Sequence, residues 1–541
     1  MTQRQVSTGQ AIVDGLIRHG VTQIFGIPGA HTYQLIDALY ERRSELNFIG
    51  TRHEQGAAYM AYGYAKSTGR VGVYTCVPGP GVLNSSAALC TAYGASTPVL
   101  CVTGEIWSHE IGRGHGILHE LPDQLATLRG LTKWSERISH PTAAPAIVAR
   151  AFEELTSGRT RPVALECPWD TLGQRALVEL DVTARRIAPP APDPEAVEKA
   201  AALIATAVNP MIMVGSGALA AGAEILELAR LLQAPVTAHR SGRGIVSEAL
   251  PYGMGFAAAH HPWQKTDVLI AIGTRMELQF IRWRRLPPGL KIVRIEIDAE
   301  EIQRRDVAVG LLTDAALGTR ALIDALARRL APRASREAEF EAIKARSRQD
   351  IEVVQPQLGY LDAIRAVLPR DGFFVEEISQ MGFTSRFGFP VYQPRTFVTG
   401  GYQDNLGFGY MTALGVKVAN PGKAVVSING DGGFMFGVQE LATAAQYNIG
   451  CVALVFNNRS FGNVLRDQKQ SFGGRYLGER LRNPDFVKLA ESFGVAGHRA
   501  HSPAELKATL ERALAADAPA LIEIPSEPGA EASPWPFIHP A

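Results

Sequence analysis

Cysteine is scarce in this chain, with 5 among 541 residues: Cys76, Cys90, Cys101, Cys167 and Cys451. No two of them form a C-x-x-C pair. Their odd number excludes a closed disulfide framework, and their places in apolar runs point to buried, reduced thiols. An excess of either charge is also lacking. Lys plus Arg number 54 against 53 Asp plus Glu, a net charge of +1, and the cations are scattered. Such a balance leaves no electrostatic footprint for nucleic acid or for an acidic membrane surface. No apolar run approaches the ~18 residues of a membrane span, and no signal-like apolar core opens the chain. These absences lead us to expect a cytoplasmic protein without nucleic-acid or membrane partners. What remains is an ordinary globular composition, 46% apolar and 20% charged. At roughly 150 residues each, the length suffices for about three or four domains.

Strand-like and helix-like segments alternate almost throughout, which predicts α/β architecture with parallel sheets flanked by helices. A first unit spans residues 1–175, with strands expected over Val21 to Gly26, Val71 to Val77 and Val99 to Gly104. The stretch Arg185-Arg186-Ile187-Ala188-Pro189-Pro190-Ala191-Pro192-Asp193-Pro194 reads as a linker, because its four prolines in six residues can continue neither a helix nor a central strand. A central unit follows over 195–330, then a charged, helix-prone stretch from Ala331 to Asp350. A third unit covers 355–530. Its aromatic, Pro-rich tail, Ser533 to His539, is expected to pack against the body. The first and third units share a size and rhythm that suggest a duplicated fold.

The densest chemical signal lies in the third unit. The run Val425-Val426-Ser427-Ile428-Asn429 breaks into Gly430-Asp431-Gly432-Gly433. A helix-like stretch from Gly437 to Tyr447 then leads to a second strand, Cys451 to Phe456, ending on Asn457-Asn458. Parallel strands joined by a helix bring their C-terminal ends together, so Asp431 and Asn458 can face one crevice. A carboxylate and an amide oxygen beside glycine N–H groups suit a magnesium ion carrying a diphosphate. Glycine at 432 and 433 lets the backbone approach such a ligand. In the first unit, Glu54 precedes small residues that predict a tightly packed helix with the carboxylate at its head. Alone, such an acid is an ordinary helix-dipole contribution.

These segments together resemble the thiamine-diphosphate enzymes of the acetohydroxyacid synthase (acetolactate synthase)-like and benzaldehyde lyase-like group. The resemblance runs over essentially the whole length. It is carried by Phe25-Gly26-Ile27-Pro28-Gly29-Ala30, His53-Glu54-Gln55-Gly56-Ala57, Gly79-Pro80-Gly81-Val82-Leu83-Asn84, the Gly430 to Asn458 segment and Asn483-Pro484-Asp485-Phe486. It implies three domains: pyrimidine-binding, central and diphosphate-binding. The cofactors it implies are thiamine diphosphate and Mg2+, with Asp431, Asn458 and the Ser460 carbonyl as metal ligands. By the same resemblance Glu54 activates the cofactor through its aminopyrimidine ring, and Leu406 bends it. The residue at 404 offers its backbone carbonyl to the 4′-amino group. Family proteins place the glutamate and the diphosphate on different subunits, which implies a homodimer or homotetramer with active sites at the interfaces.

Departures from the pattern concern the substrate. Asp404 stands where glycine is usual. Ile378-Ser379 replaces a Gln-His pair, Asp467 replaces a pocket tryptophan, and Val77-Pro78 replaces Thr-Ser. His31, after the Gly29-Ala30 turn, and His119 are the candidate proton-transfer groups, and Asn463 would face the substrate. His115 and His119 have the i, i+4 spacing of a zinc pair. Glycines at 112, 114 and 116 argue against a helix there, and no third ligand is evident. In the central unit, Val214-Gly215-Ser216-Gly217 is a weak dinucleotide fingerprint without an acidic ribose partner. Gly273-Thr274-Arg275-Met276 partly matches the family's flavin loop, which leaves FAD open. The resulting expectation is a carboligase or decarboxylase acting on 2-oxo acids and aldehydes. The alternative is a C–C lyase or hydrolase of 2-hydroxy ketones or 1,2-diones.

Overall fold

Three six-stranded, all-parallel sheets organise the computed structural model, which describes residues 3–283 and 285–540. The first sheet runs, edge to edge, Asn47–Gly50, Gln23–Gly26, Gly72–Cys76, Val99–Glu105, Val163–Pro168, Trp134–Arg137. The third runs Phe397–Val398, Phe373–Val375, Val425–Gly430, Val452–Asn457, Ala520–Pro525, Ala496–Arg499. Numbered within each unit, both have the order 2-1-3-4-6-5. The duplication suggested by the sequence is therefore real at the level of topology. The central sheet differs. Its order, Gly253–Gly255, Val236–Ala238, Pro210–Val214, Val268–Ile272, Lys291–Glu296, Val309–Leu312, is the dinucleotide-fold order. A small antiparallel ribbon of Gln3–Ser7 and Arg175–Glu179 closes the first unit.

The central strands are apolar runs because helices cover both faces of each sheet. Val452 to Val455, for example, are all buried. The helix Glu54–Thr68 is buried on nearly every side from Gly56 to Ser67. It crosses the helix Phe408–Ala419 of the third unit at backbone distance. A Cβ on Gly63 would run into the Thr412 carbonyl, and one on Gly415 into Met60. The small residues after Glu54 led us to expect close packing, and the contact they make joins the first and third units within the chain. The stretch from 437 to 447 is shorter than anticipated. The chain makes one turn at Asp431–Phe434, then a helix at Glu440–Gln446.

The Pro-rich linker carries no regular structure up to Asp193, Pro194 opens the helix Pro194–Ala205, and Glu337–Ile351 is a helix. In the tail, Trp535–Ile538 forms a turn of helix, with Trp535 packed on Phe383 at 5.0 Å between ring centroids. All five cysteines are free. Among the described residues no helix is long and apolar enough to cross a membrane.

Candidate active site

Two groups of polar residues stand at the carboxyl ends of the first and third sheets, where open α/β sheets place their ligands. In the first, Glu54 begins its helix. His53 caps that helix by accepting from the Gln55 N–H through Nδ1. Asn84 donates to Glu54 Oε2 at 3.0 Å. The helix head is also held from the third unit. Glu440, fully buried, accepts from the Arg52 N–H at 3.1 Å and the His53 N–H at 3.0 Å, and from the Thr443 hydroxyl at 2.5 Å. Burial pushes the Glu440 carboxyl up against the pull of these donors. Gly56 is required here, because a Cβ would meet the Glu440 carboxylate.

His31 and His119 meet beside Glu54. Their Nδ1 atoms are 3.3 Å apart, so one ring donates and the other accepts. Burial lowers His31 below the ordinary value, assisted by His119. Burial also lowers His119, and the nearby Glu54 carboxylate offsets this only in part. Both residues have φ of 68°, a left-handed backbone that side chains other than glycine rarely adopt and that collects at functional sites. Trp169 abuts His31 edge-on at 4.7 Å and stacks on Trp107 at 5.2 Å, fixing the ring from behind. Gly79, with φ of 59°, turns under the His119 carbonyl, and its N–H donates to Gln124 at 2.8 Å. His115 is not part of this group. It pairs with Glu110 at 2.7 Å on an exposed loop without helix.

The second group surrounds Asp431. Its carboxylate is 2% exposed and accepts from Asn483 Nδ2 at 2.6 Å. No basic side chain pairs with it among the described residues. Burial raises it despite the hydrogen bonds from Asn483 and the main chain. Asn458 Oδ1 accepts from the Ser460 N–H and hydroxyl, each at 3.0 Å, and its Nδ2 donates to Glu531 at 2.8 Å. A buried carboxylate without a cation, beside amide and carbonyl oxygens, fits a hard divalent ion that retains phosphate ligands. A cleft of about 420 Å³ opens here, lined by Gly432, Phe436, Phe461, Leu481, Arg482 and Asn483. The missing side chains at Gly432 and Gly433 are already demanded by protein. Their Cβ atoms would strike Phe461 and Glu377 respectively. Glu377 is wholly buried, accepts from the Gly407 N–H at 2.6 Å, and is pushed up to about 8 by burial.

Leu406, half-buried, immediately precedes Gly407. The Asp404 carboxylate is turned away into a pair of arginines, Arg240 and Arg386. Asn463 is occupied by the Trp535 indole N–H at 3.0 Å and by Arg466, while Asp467 is exposed on the same helix, Gly462–Ser471. Glu440, Glu377 and the two tryptophans lay outside the sequence reading, which named Asn84 only as the end of a motif. An acid opening a helix, or a tryptophan after a strand, has no local mark that separates it from ordinary structure.

Within the chain, no hydrogen bond or ion pair among the described residues links the Glu54 group to the Asp431 group. Exposed apolar side chains border both: Leu83 and Leu118 on one side, Phe436 and Leu477 on the other. In the central unit, a cavity of about 410 Å³ lies over the sheet's carboxyl ends. Gly215, Gly217 and Gly273 line it, but a Cβ on any of them would strike the facing loop, so loop packing explains all three. The strand Val236–Ala238 is followed by His239 and Arg240 rather than an acid.

Twin sheets of one order, a dinucleotide-type sheet between them, an acid-headed helix and an Asp–Asn turn define a cofactor-dependent enzyme of the diphosphate-binding α/β class. The chain belongs to the thiamine pyrophosphate (thiamine diphosphate) enzymes, which form or cleave carbon–carbon bonds. Residues 6–127 match the family's N-terminal TPP binding domain, 197–322 its central domain and 377–524 its C-terminal TPP binding domain. The chain is 34% identical to the probable 2-ketoarginine decarboxylase AruI of Pseudomonas aeruginosa, over 96% of this chain and 94% of that one. It is also 34% identical to the probable acetolactate synthase large subunit of Methanocaldococcus jannaschii, over 97% and 92% respectively. The solved 4-hydroxybenzoylformate decarboxylase of Rhodococcus jostii RHA1 shares the fold, with a TM-score of 0.82 at 21% identity, over 96% of this chain and 99% of that one.

Proposed function

We propose that this protein is a cytoplasmic, Mg2+-dependent enzyme that decarboxylates a 2-oxo acid and delivers the product carbon to a proton or to an aldehyde. Thiamine diphosphate, when bound, would supply a nucleophilic carbon for the substrate carbonyl and an electron sink for the pair left behind when CO2 departs. Asp431, Asn458 and the Ser460 carbonyl would hold the metal and, through it, the diphosphate. Glu54, oriented by Asn84 and by the Glu440-held helix head, would bind the aminopyrimidine ring. The His31–His119 pair would pass a proton at the reacting carbon or oxygen. Asn463 and Asp467 would border the substrate only after Asn463 exchanges its present partners.

The observation that carries the reading is the His31–His119 contact, held in strained backbone beside Glu54. The separation of that group from the Asp431 group within one chain supports a homodimer or homotetramer with shared centres. Turnover assays with thiamine diphosphate and Mg2+ test the reading, using pyruvate, guanidino-bearing and aromatic 2-oxo acids, with and without aldehydes. CO2 release from a 2-oxo acid supports it. Cleavage of benzoin-type 2-hydroxy ketones or 1,2-diones without CO2 would instead establish the lyase alternative, which rests on the same His31. Visible absorbance of the purified protein decides whether FAD fills the central cavity.

A further inference from the structure

Residues 404–407 are gripped one after another by three different units of the chain. Asp404 is held by the central unit. Arg240 Nη1 and Nη2 donate to its Oδ1 and Oδ2 at 2.5 and 2.7 Å. From the other side Arg386 Nη2 and Nη1 donate to the same two oxygens at 2.9 and 3.3 Å. Asn405 is held by the first unit. Its Oδ1 accepts from the Thr91 hydroxyl at 2.9 Å, and its Nδ2 donates to Tyr59, one turn beyond Glu54 on the same helix. Gly407 is held by the third unit, through Glu377.

The Asp404 clamp continues in both directions. Arg386 donates through Nε to the buried Glu376 at 3.0 Å. Arg240 also donates to the Gly401 carbonyl and reaches Glu277 at 3.4 Å, which in turn pairs with Arg282 at 2.7 Å. Charges therefore alternate from Glu376 through Arg386, Asp404, Arg240 and Glu277 to Arg282.

Two features call for an explanation beyond domain docking. Asp404 has φ of 43° and Arg240 φ of 57°, so two residues with side chains face each other in left-handed backbone. The arginines are 1% and 6% exposed at the side chain. A desolvated ion-pair chain stabilises a fold no better than apolar packing of the same volume. What such a chain supplies is defined geometry. Four N–H donors, two from each guanidinium, fill the acceptor directions of one carboxylate. That carboxylate has no capacity left for cofactor or substrate, and it can influence them only through its own main chain.

We infer that Asp404 is a positioning residue, clamped by Arg240 and Arg386 so that the main chain of 404–406 is fixed for the cofactor's pyrimidine ring and for Leu406 beneath it. The inference rests on the proposed function. Glycine at 404 would offer the same carbonyl on a freer backbone. The clamp gives this chain a rigid version, anchored in the central unit.

The test compares full-length protein with the variants Asp404→Asn, Arg240→Gln, the double variant, and Asp404→Gly, whose residue accepts the left-handed backbone without strain. Three quantities are measured: the Kd for thiamine diphosphate at saturating Mg2+, by tryptophan fluorescence; the near-ultraviolet circular dichroism of the bound cofactor; and the Tm of the cofactor-free protein. Each single variant should weaken the Kd about tenfold and alter the dichroism of the bound cofactor. The double variant should be no worse than the singles, since both break one clamp. Single variants that keep Kd and dichroism within about twofold of the parent, with only a lower Tm, would overturn the inference. So would loss of folding in every variant, because the clamp would then be structural alone. Failure of the unaltered protein to bind thiamine diphosphate is a separate result, which removes the proposed function and the inference with it.

Discussion

The first and third sheets have the same strand order, yet their carboxyl ends carry opposite chemistry. The first presents a carboxylate at a helix head with a histidine pair and aromatic rings. The third presents a buried acid with no counter-cation among the described residues, amide oxygens and glycine turns. One topology supports both because the sheet only sets where loops gather, while loop side chains decide what binds there. The two ends are also supported crosswise. Glu440 of the third unit holds the helix head of Glu54, and Tyr59 and Thr91 of the first unit hold Asn405.

The contrast can be broken from either side. Glu54→Gln should give the largest effect, a loss of about 10³ in turnover with the Tm nearly unchanged, because Glu54 is only half-buried. Steady-state kinetics beside a melting curve check this, and full turnover in the variant would remove Glu54 from the machinery. Asp431→Asn should act on affinity instead, weakening Mg2+-supported thiamine diphosphate binding about 100-fold by calorimetry. If both substitutions changed only affinity, the division of labour between the sheets would be wrong.

Smaller effects sharpen the crosswise support. Glu440→Ala leaves two main-chain N–H groups without a partner and should destabilise by about 1–3 kcal/mol, read by urea denaturation. Turnover should fall with it by about tenfold, and Glu440→Gln, which keeps an acceptor oxygen, should recover part of both. The smallest effect is a pH slope. Burial raises Glu377 to about 8 from its ordinary 4.5. The stability this group allows is complete below 4.5 and is lost as pH rises toward 8, because the unfolded carboxyl ionises first. Glu377→Gln, an isostere of the protonated acid, should flatten the fall of Tm between pH 5 and pH 8 by a few degrees. A slope identical to the parent's would show that the carboxyl does not carry it.

Several elements were legible along the chain because their signals are local. Apolar runs ending in glycine marked the central strands, as at Val425–Gly430. Small residues after Glu54 marked a helix that packs at backbone distance, and Gly63 against Thr412 is that contact. The helix expected from Gly437 to Tyr447 begins only at Glu440, because a bend at Gly437 and the turn after it delay its start, and periodicity does not register so short a break. Asp404 was visible as a departure, but its partners were not. Arg240 is one of many scattered arginines until the fold brings it across.

The sequence by itself determined the α/β class and the family, and it marked Glu54 and the Asp431–Asn458 pair as candidates, since each signal is written in short motifs along the chain. Only the tertiary structure decided that His31 meets His119, that Glu440 holds the Glu54 helix, and that Asp404 is consumed by Arg240 and Arg386. Those outcomes depend on burial and on pairing between polar groups far apart in sequence. Removal from water fixes which partner each must take and which protonation state it keeps.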